Sequence, residues 1–154
     1  MSTYYKGSRK ERQALNTFIK LIRSGESITS KLNLLLSDYG LTESQFGVLD
    51  ALYHLGPLKQ KELGEKILKS GGNITMVIDN LEKQDLVKRK RGEKDRRHYK
   101  IHLTKQGEKK IIDVLPHVVK FIKKHFEILN VEEQKELERL CRIIGLQIRY
   151  PIKH

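Results

Sequence analysis

The sequence predicts a mainly α-helical protein, interrupted once near its middle by a small and strongly basic β-hairpin. Three observations carry that expectation. Apolar residues recur every three or four positions along most of the chain, the spacing that gathers them on one helical face. The breakers Gly56-Pro57 and Ser70-Gly71-Gly72 cut the central part into short segments. Between Lys88 and Lys100 the stretch KRKRGEKDRRHYK crowds cations around one glycine, and its flanks alternate as strands do.

In chain order, a first helix spans residues 10–40. Leu15, Phe18, Ile19 and Ile22, then Ile28, Leu32, Leu35 and Leu36, keep helical phase, with Gly25 expected to bend or weaken the middle. Asp38-Tyr39-Gly40 ends it. LTESQF then starts a second helix: Thr42 is the N-cap, Gln45 completes a capping box, and Leu41 and Phe46 are placed as a hydrophobic staple. A short helix follows from about Lys59 to Leu68, and another runs to about Gln84 with Ile74, Val77, Ile78 and Leu81 turned inward. Two short helices around a glycine-containing turn form a helix-turn-helix pattern. Leu86-Val87 opens a strand through Arg91, and HYKIHL returns after Gly92–Arg97 with Tyr99, Ile101 and Leu103 on one face. That order is a winged helix-turn-helix with a two-stranded basic wing, over residues 41–104. Thr104 caps a long helix carrying Ile111, Ile112, Leu115, Val118, Val119, Ile122 and Phe126, with a kink expected at Pro116. Asn130 and Glu133 open a last helix bearing Leu137, Leu140, Cys141, Ile144 and Ile148. The helices of residues 10–40 and 105–150 lie outside the winged domain and need a partner, so a homodimer joined through them is expected.

The charge is as uneven as the hydropathy. The 154 residues carry a formal net charge of +12, from 31 basic and 19 acidic side chains. Residues 83–100 hold 9 basic against 3 acidic groups, half of that net charge, beside a slightly acidic segment at 41–82. A focused basic patch implies an anionic partner, double-stranded DNA before an acidic membrane surface. No apolar run approaches the ~18 residues of a membrane span, and the polar start MSTYYKGSRKERQ lacks the apolar segment of a signal peptide. The single cysteine excludes an internal disulfide framework and fits a reducing compartment. A cytoplasmic protein with no membrane partner is expected. No nucleophile–base arrangement is present, and Gly71-Gly72 lacks the lysine of a phosphate-cradling loop, so neither an enzyme nor a cofactor is expected. Six histidines (His54, His98, His102, His117, His125 and His154) have no companions at ligand spacing, which argues against a metal.

With these residues in view, the chain resembles the MarR family of bacterial transcription regulators. The resemblance is carried by LTESQFGVLDAL, by LGEKI and NITMVIDNLEKQDLVKR, by the wing triplet Asp95-Arg96-Arg97, and by LTKQG at Leu103–Gly107. It covers roughly residues 12–148 and keeps the order and spacing of the motifs. It implies a triangular homodimer built from the terminal helices and binding a near-palindromic operator, with relatives often acting as repressors released by small phenolic or other aromatic anions. Asp85 departs from the family, which usually has glycine there; an aspartate can take the left-handed conformation at modest cost.

On the second helix of the pair, the inward set leaves Gly72, Asn73, Thr75, Met76, Asp79 and Lys83 facing out. Asn73 suits bidentate pairing with adenine, Thr75 or Met76 a thymine methyl, and Asp79 either a cytosine amine or a neighbouring side chain. Asn73 and Thr75 also suit local capping. In the wing, Asp95 can hold Arg97 in one rotamer for entry into a narrow minor groove, a role the resemblance also gives this pair. Arg89, Arg91, Lys94 and Arg96 are placed to meet phosphates, and Lys59 and Gln60 start a helix whose free amides suit another. By family analogy, Tyr39, Tyr53 and His54 line an effector site, though aromatic packing at a domain junction accounts for them equally. Cys141, among Leu140, Ile143 and Ile144, is expected as a buried small hydrophobe. Redox-sensing relatives place their cysteine near the N-terminus, where this chain has none. Two rival readings remain at this stage: an architectural, weakly sequence-specific DNA binder, and a protein-interaction module that has lost DNA binding.

Overall fold

Capping residues set most helix starts, and they do so where side-chain oxygens can reach free backbone amides. A computed structural model of the protein describes residues 2–67, 73–91 and 99–149. Helix α1 (Arg9–Ser37) begins with a capping box between Ser8 and Glu11, and α2 (Glu43–Leu55) with the one between Thr42 and Gln45. A two-residue strand β1 (Leu58–Lys59) leads into α3 (Gln60–Lys66), then α4 (Ile74–Lys83), β2 (Val87–Arg91) and β3 (Tyr99–Leu103). Helix α5 (Lys105–Phe126) starts at Thr104, whose hydroxyl accepts from the Gly107 amide at 2.9 Å. Asn130 and Glu133 exchange the bonds of a third box ahead of α6 (Val131–Arg149).

Two expectations are corrected, those for Tyr99 and Cys141, and two others, for Gly25 and the wing, are made more definite. Helix α1 runs unbroken through Gly25. One glycine costs only about 1 kcal/mol against alanine, less than a long helix with its own cap can absorb. The wing belongs to a three-stranded antiparallel sheet of order β1-β3-β2, because Leu58 and Lys59 pair with Ile101 and Lys100. Tyr99, expected to face inward with Ile101, is exposed, whereas Ile101 is fully buried. Tyr99 is the first residue of β3 and pairs with Arg91, the last of β2, at one end of the sheet. Cys141 is exposed too: every described side chain of α6 is exposed except half-buried Gln134. Helix α5 continues past Pro116 to Phe126.

The chain divides after Val118 into two units. In the first, Leu36, Val48, Leu49, Leu63, Ile78, Leu81, Val87, Ile101, Ile111 and Val114 form a core closed to solvent. Helices α2, α3 and α4 and the sheet all contribute to it, which makes this the winged helix-turn-helix that the sequence pattern predicts. The second unit holds the end of α5 and all of α6. Among the described residues no helix is long and apolar enough to cross a membrane.

Two helix ends use the same device with different residues. After α1, Leu41 donates to Leu36 and Gly40 to Ser37, with Gly40 at φ 67°. After α4, Leu86 donates to Leu81 and Asp85 to Glu82, with Asp85 at φ 57°. Both are Schellman closures, which need a left-handed residue at this point. Aspartate adopts that conformation at a cost that glycine avoids. Asp85→Gly is therefore expected to raise stability by about 0.5 kcal/mol and Asp85→Val to lower it by about 1–2 kcal/mol, read from urea midpoints at unchanged slope.

Candidate nucleic-acid interface

Asn73 is the N-cap of α4: its Oδ1 accepts from the amides of Thr75 at 3.1 Å and Met76 at 3.3 Å. A cap here aims the first turn of the helix outward while its buried residues, Ile78 and Leu81, fix the rear. Thr75 is joined to the preceding helix through its Oγ1, which accepts from Gln60 Nε2 at 2.6 Å. That bond joins α3 to α4. Asn73, Thr75, Met76 and Lys83 are exposed, with Met76 at 59% for so large an apolar side chain. A polar face with one protruding methionine suits the major groove, where donors, acceptors and thymine methyls are all displayed.

Lys59 is exposed at the start of α3, but its amide already donates to Glu62 at 2.7 Å. One of the amides expected free for phosphate is thus taken, while the Lys59 side chain stays exposed. Arg91 lies over the Tyr99 ring, 5.5 Å from its centroid, and its Nε donates to the tyrosine hydroxyl at 2.9 Å. The contact holds the guanidinium at the outer end of the strands.

Arg89 behaves differently. Its Nη2 donates to Asp79 Oδ1 at 2.5 Å, its Nη1 donates to Glu82 Oε2, and its backbone amide donates to Glu82 Oε1 at 3.0 Å. Burial opposes its charge, yet the bonds and charges of the two carboxylates prevail and hold the guanidinium above its ordinary pKa. Of the two roles open to Asp79 from sequence, the structure shows it orienting a neighbour.

The sequence reading passed over one cationic face. Lys88 pairs with His102 and Lys90 with Lys100, so alternation places these four on the side of the sheet opposite Val87 and Ile101. His102 is held below the ordinary imidazole value by burial first, then by Lys90, Lys88 and Lys100. The period-two pattern could have revealed this face, had both strands been read together. Gly72, Lys94, Asp95, Arg96 and Arg97 lie outside the described residues, as do His98 and the hairpin turn.

The aromatic candidates form two separate pairs. Tyr39 packs against His117 with ring centroids 5.6 Å apart. Tyr53 meets His54 edge-on at 5.1 Å, and His54 Nε2 lies 3.3 Å from Asp50. Among the described residues no ring contact joins the two pairs. No group of three or more His, Cys, Asp or Glu among those residues is placed to hold a metal ion.

Known proteins share this fold. The MarR family model matches residues 41–99, the winged helix-turn-helix from α2 through the start of β3. The HTH-type transcriptional regulator MhqR of Bacillus subtilis is 32% identical over 137 residues, spanning 89% of this chain and 94% of that protein. Two solved structures share the fold at 21% identity. Sco3205, a MarR family regulator from Streptomyces coelicolor in complex with DNA, has a TM-score of 0.83 over 96% of this chain and 93% of its own. CouR from Rhodococcus jostii RHA1, bound to p-coumaroyl-CoA, has a TM-score of 0.72 over 90% and 95%. The chain belongs to the MarR family of DNA-binding transcriptional regulators.

Proposed function

We propose that the protein is a homodimeric, sequence-specific repressor that occupies a near-palindromic operator in the cytoplasm and leaves it when a small aromatic ligand binds. The observation that carries this reading is the outward face of α4, capped at Asn73 and flanked by cationic strands. Each protomer puts that face into a major groove and the wing into the adjoining minor groove, with half-sites about 10 bp apart. Gly72, Asn73, Thr75, Met76 and Lys83 belong to the base-reading surface, while Asp79 holds Arg89 from the same helix. Lys59, Gln60, Arg91, Lys94 and Arg96 meet phosphates, Asp95 aims Arg97 into the minor groove, and Arg89 serves from within the protein.

The dimer is supported by apolar side chains left uncovered on α1 (Phe18, Ile22) and α6 (Leu140, Ile144), since such stripes mark contact surfaces. Ligand release is supported by CouR, which is bound to p-coumaroyl-CoA; Tyr39, Tyr53 and His54 are the residues offered for a small aromatic anion here.

Selection of duplexes from a random pool tests the reading, followed by genomic footprinting with and without aromatic compounds. A regulator prefers its selected palindrome over random duplex by at least ~10³; an architectural binder does not. Footprints overlapping promoters and lost with one compound establish a releasable repressor. Arg97→Ala is expected to weaken binding to the selected duplex at least tenfold at near-physiological salt while the dimer stays intact. Unchanged affinity removes the wing from the mechanism.

A further inference from the structure

Carboxylates are unexpected on a helix that faces a polyanion. Asp79 and Glu82 stand about one turn apart on α4, and both close on the guanidinium of Arg89 in β2. Glu82 also accepts from the Arg89 backbone amide. One residue of the first wing strand is thus tied to the recognition helix at three points. A planar guanidinium with five donors can bridge two carboxylates in this way, which a lysine ammonium on a flexible stem does not reproduce. Two carboxylates and one guanidinium leave this cluster with a net negative charge within an otherwise basic stretch of sequence. An arginine already bonded to two acids is withdrawn from the indiscriminate attraction that free cations exert on phosphates.

We propose that Asp79 and Glu82 are positioning residues that hold Arg89 as an internal strut between recognition helix and wing, so that the two elements meet the duplex as one unit and Arg89 itself takes no phosphate. The inference rests on the reading of the protein as a sequence-specific DNA reader and deepens it. A fixed angle between helix and wing makes the contacts in the two grooves interdependent. Duplexes that satisfy both are favoured, and those that satisfy one gain little.

The test uses the full-length protein, a random-sequence duplex and the duplex that the unmodified protein selects from a random pool. Arg89→Gln leaves the slope of log affinity against log salt on random duplex unchanged, whereas Arg91→Gln lowers it by about one unit per protomer. Preference for the selected duplex over the random one falls at least tenfold in Arg89→Gln and in Glu82→Gln, and the double variant is no worse than either. Arg89→Lys keeps the charge without the bridge and loses the same preference, which decides the matter should Arg89→Gln fail to fold. A slope reduced by about one unit per protomer in Arg89→Gln, or full preference retained in Arg89→Lys, overturns the strut. If the unmodified protein selects no duplex, the proposed specificity fails, while the slope comparison still decides whether Arg89 is internal.

Discussion

Gly107→Ala is expected to destabilise the winged unit by about 3 kcal/mol, the upper part of the range for overpacking a closed site. Two effects oppose one another at this position. Alanine is the better helix former, by about 1 kcal/mol. Against that, a Cβ at residue 107 would stand 1.9 Å from the Leu86 carbonyl oxygen and 3.1 Å from Leu103 Cδ2. The first neighbour is backbone and cannot swing aside as a side-chain end would. It is also engaged: the Leu86 carbonyl accepts from the Thr104 amide at 3.1 Å, and the Thr104 hydroxyl donates to the Asp85 carbonyl at 2.6 Å. Relief of the clash must therefore move the start of α5 away from the turn joining α4 to β2. The clash outweighs the propensity gain. A loss of this size lowers the melting temperature by about 6–12 °C for a chain of this length. Because the displaced turn sets the angle between recognition helix and wing, affinity for the selected duplex should fall with it. A melting temperature within one degree of the unmodified protein would show that the backbone there gives way freely.

Local chemistry made much of this fold legible in advance. The boxes Thr42/Gln45 and Asn130/Glu133 span four residues each and need no knowledge of the rest of the chain; both form. Asp85 stands where a glycine is usual, and it does take the left-handed conformation. The features that escaped depend on partners far away in sequence. Strand β1 has two residues after a proline, too short for any period to show, and exists because β3 offers it an edge. Arg89 looked like one more cation in a basic run. Its partners lie seven and ten residues earlier on another element, where no periodicity connects them. Tyr99 alternates correctly with Ile101 and still faces solvent, because alternation predicts a face and not what covers it. Cys141 misled for the same reason.

That uncovered helix leads to the prediction with the largest functional effect: Leu140→Glu with Ile144→Glu converts the protein to a monomer and weakens binding to the selected duplex by at least ~10². Leu137, Leu140 and Ile144 follow one another at three and four residues along α6, and 44% of Leu140 is open to solvent. Nothing in its own unit covers them among the described residues. A 19-residue helix with one apolar stripe and charged groups such as Glu136 and Arg139 paired beside it is built to be covered on one side only. A second copy of the same chain supplies an identical stripe, and a two-fold contact lets each cover the other. The effect on DNA follows from linkage. In the proposed dimer, the second winged unit would meet its half-site at an effective concentration in the millimolar range, which multiplies affinity by about 10²–10⁴ without any new contact. Carboxylates at 140 and 144 place like charges and unpaired polar groups in that contact, while both positions, exposed in one chain, lie outside the core of the winged unit. Sedimentation should give twice the chain mass for the unmodified protein and the single mass for the variant, with affinity for an isolated half-site duplex unchanged. Single-chain mass for the unmodified protein, together with a variant that loses melting temperature instead, would mean that the stripe is covered within one chain.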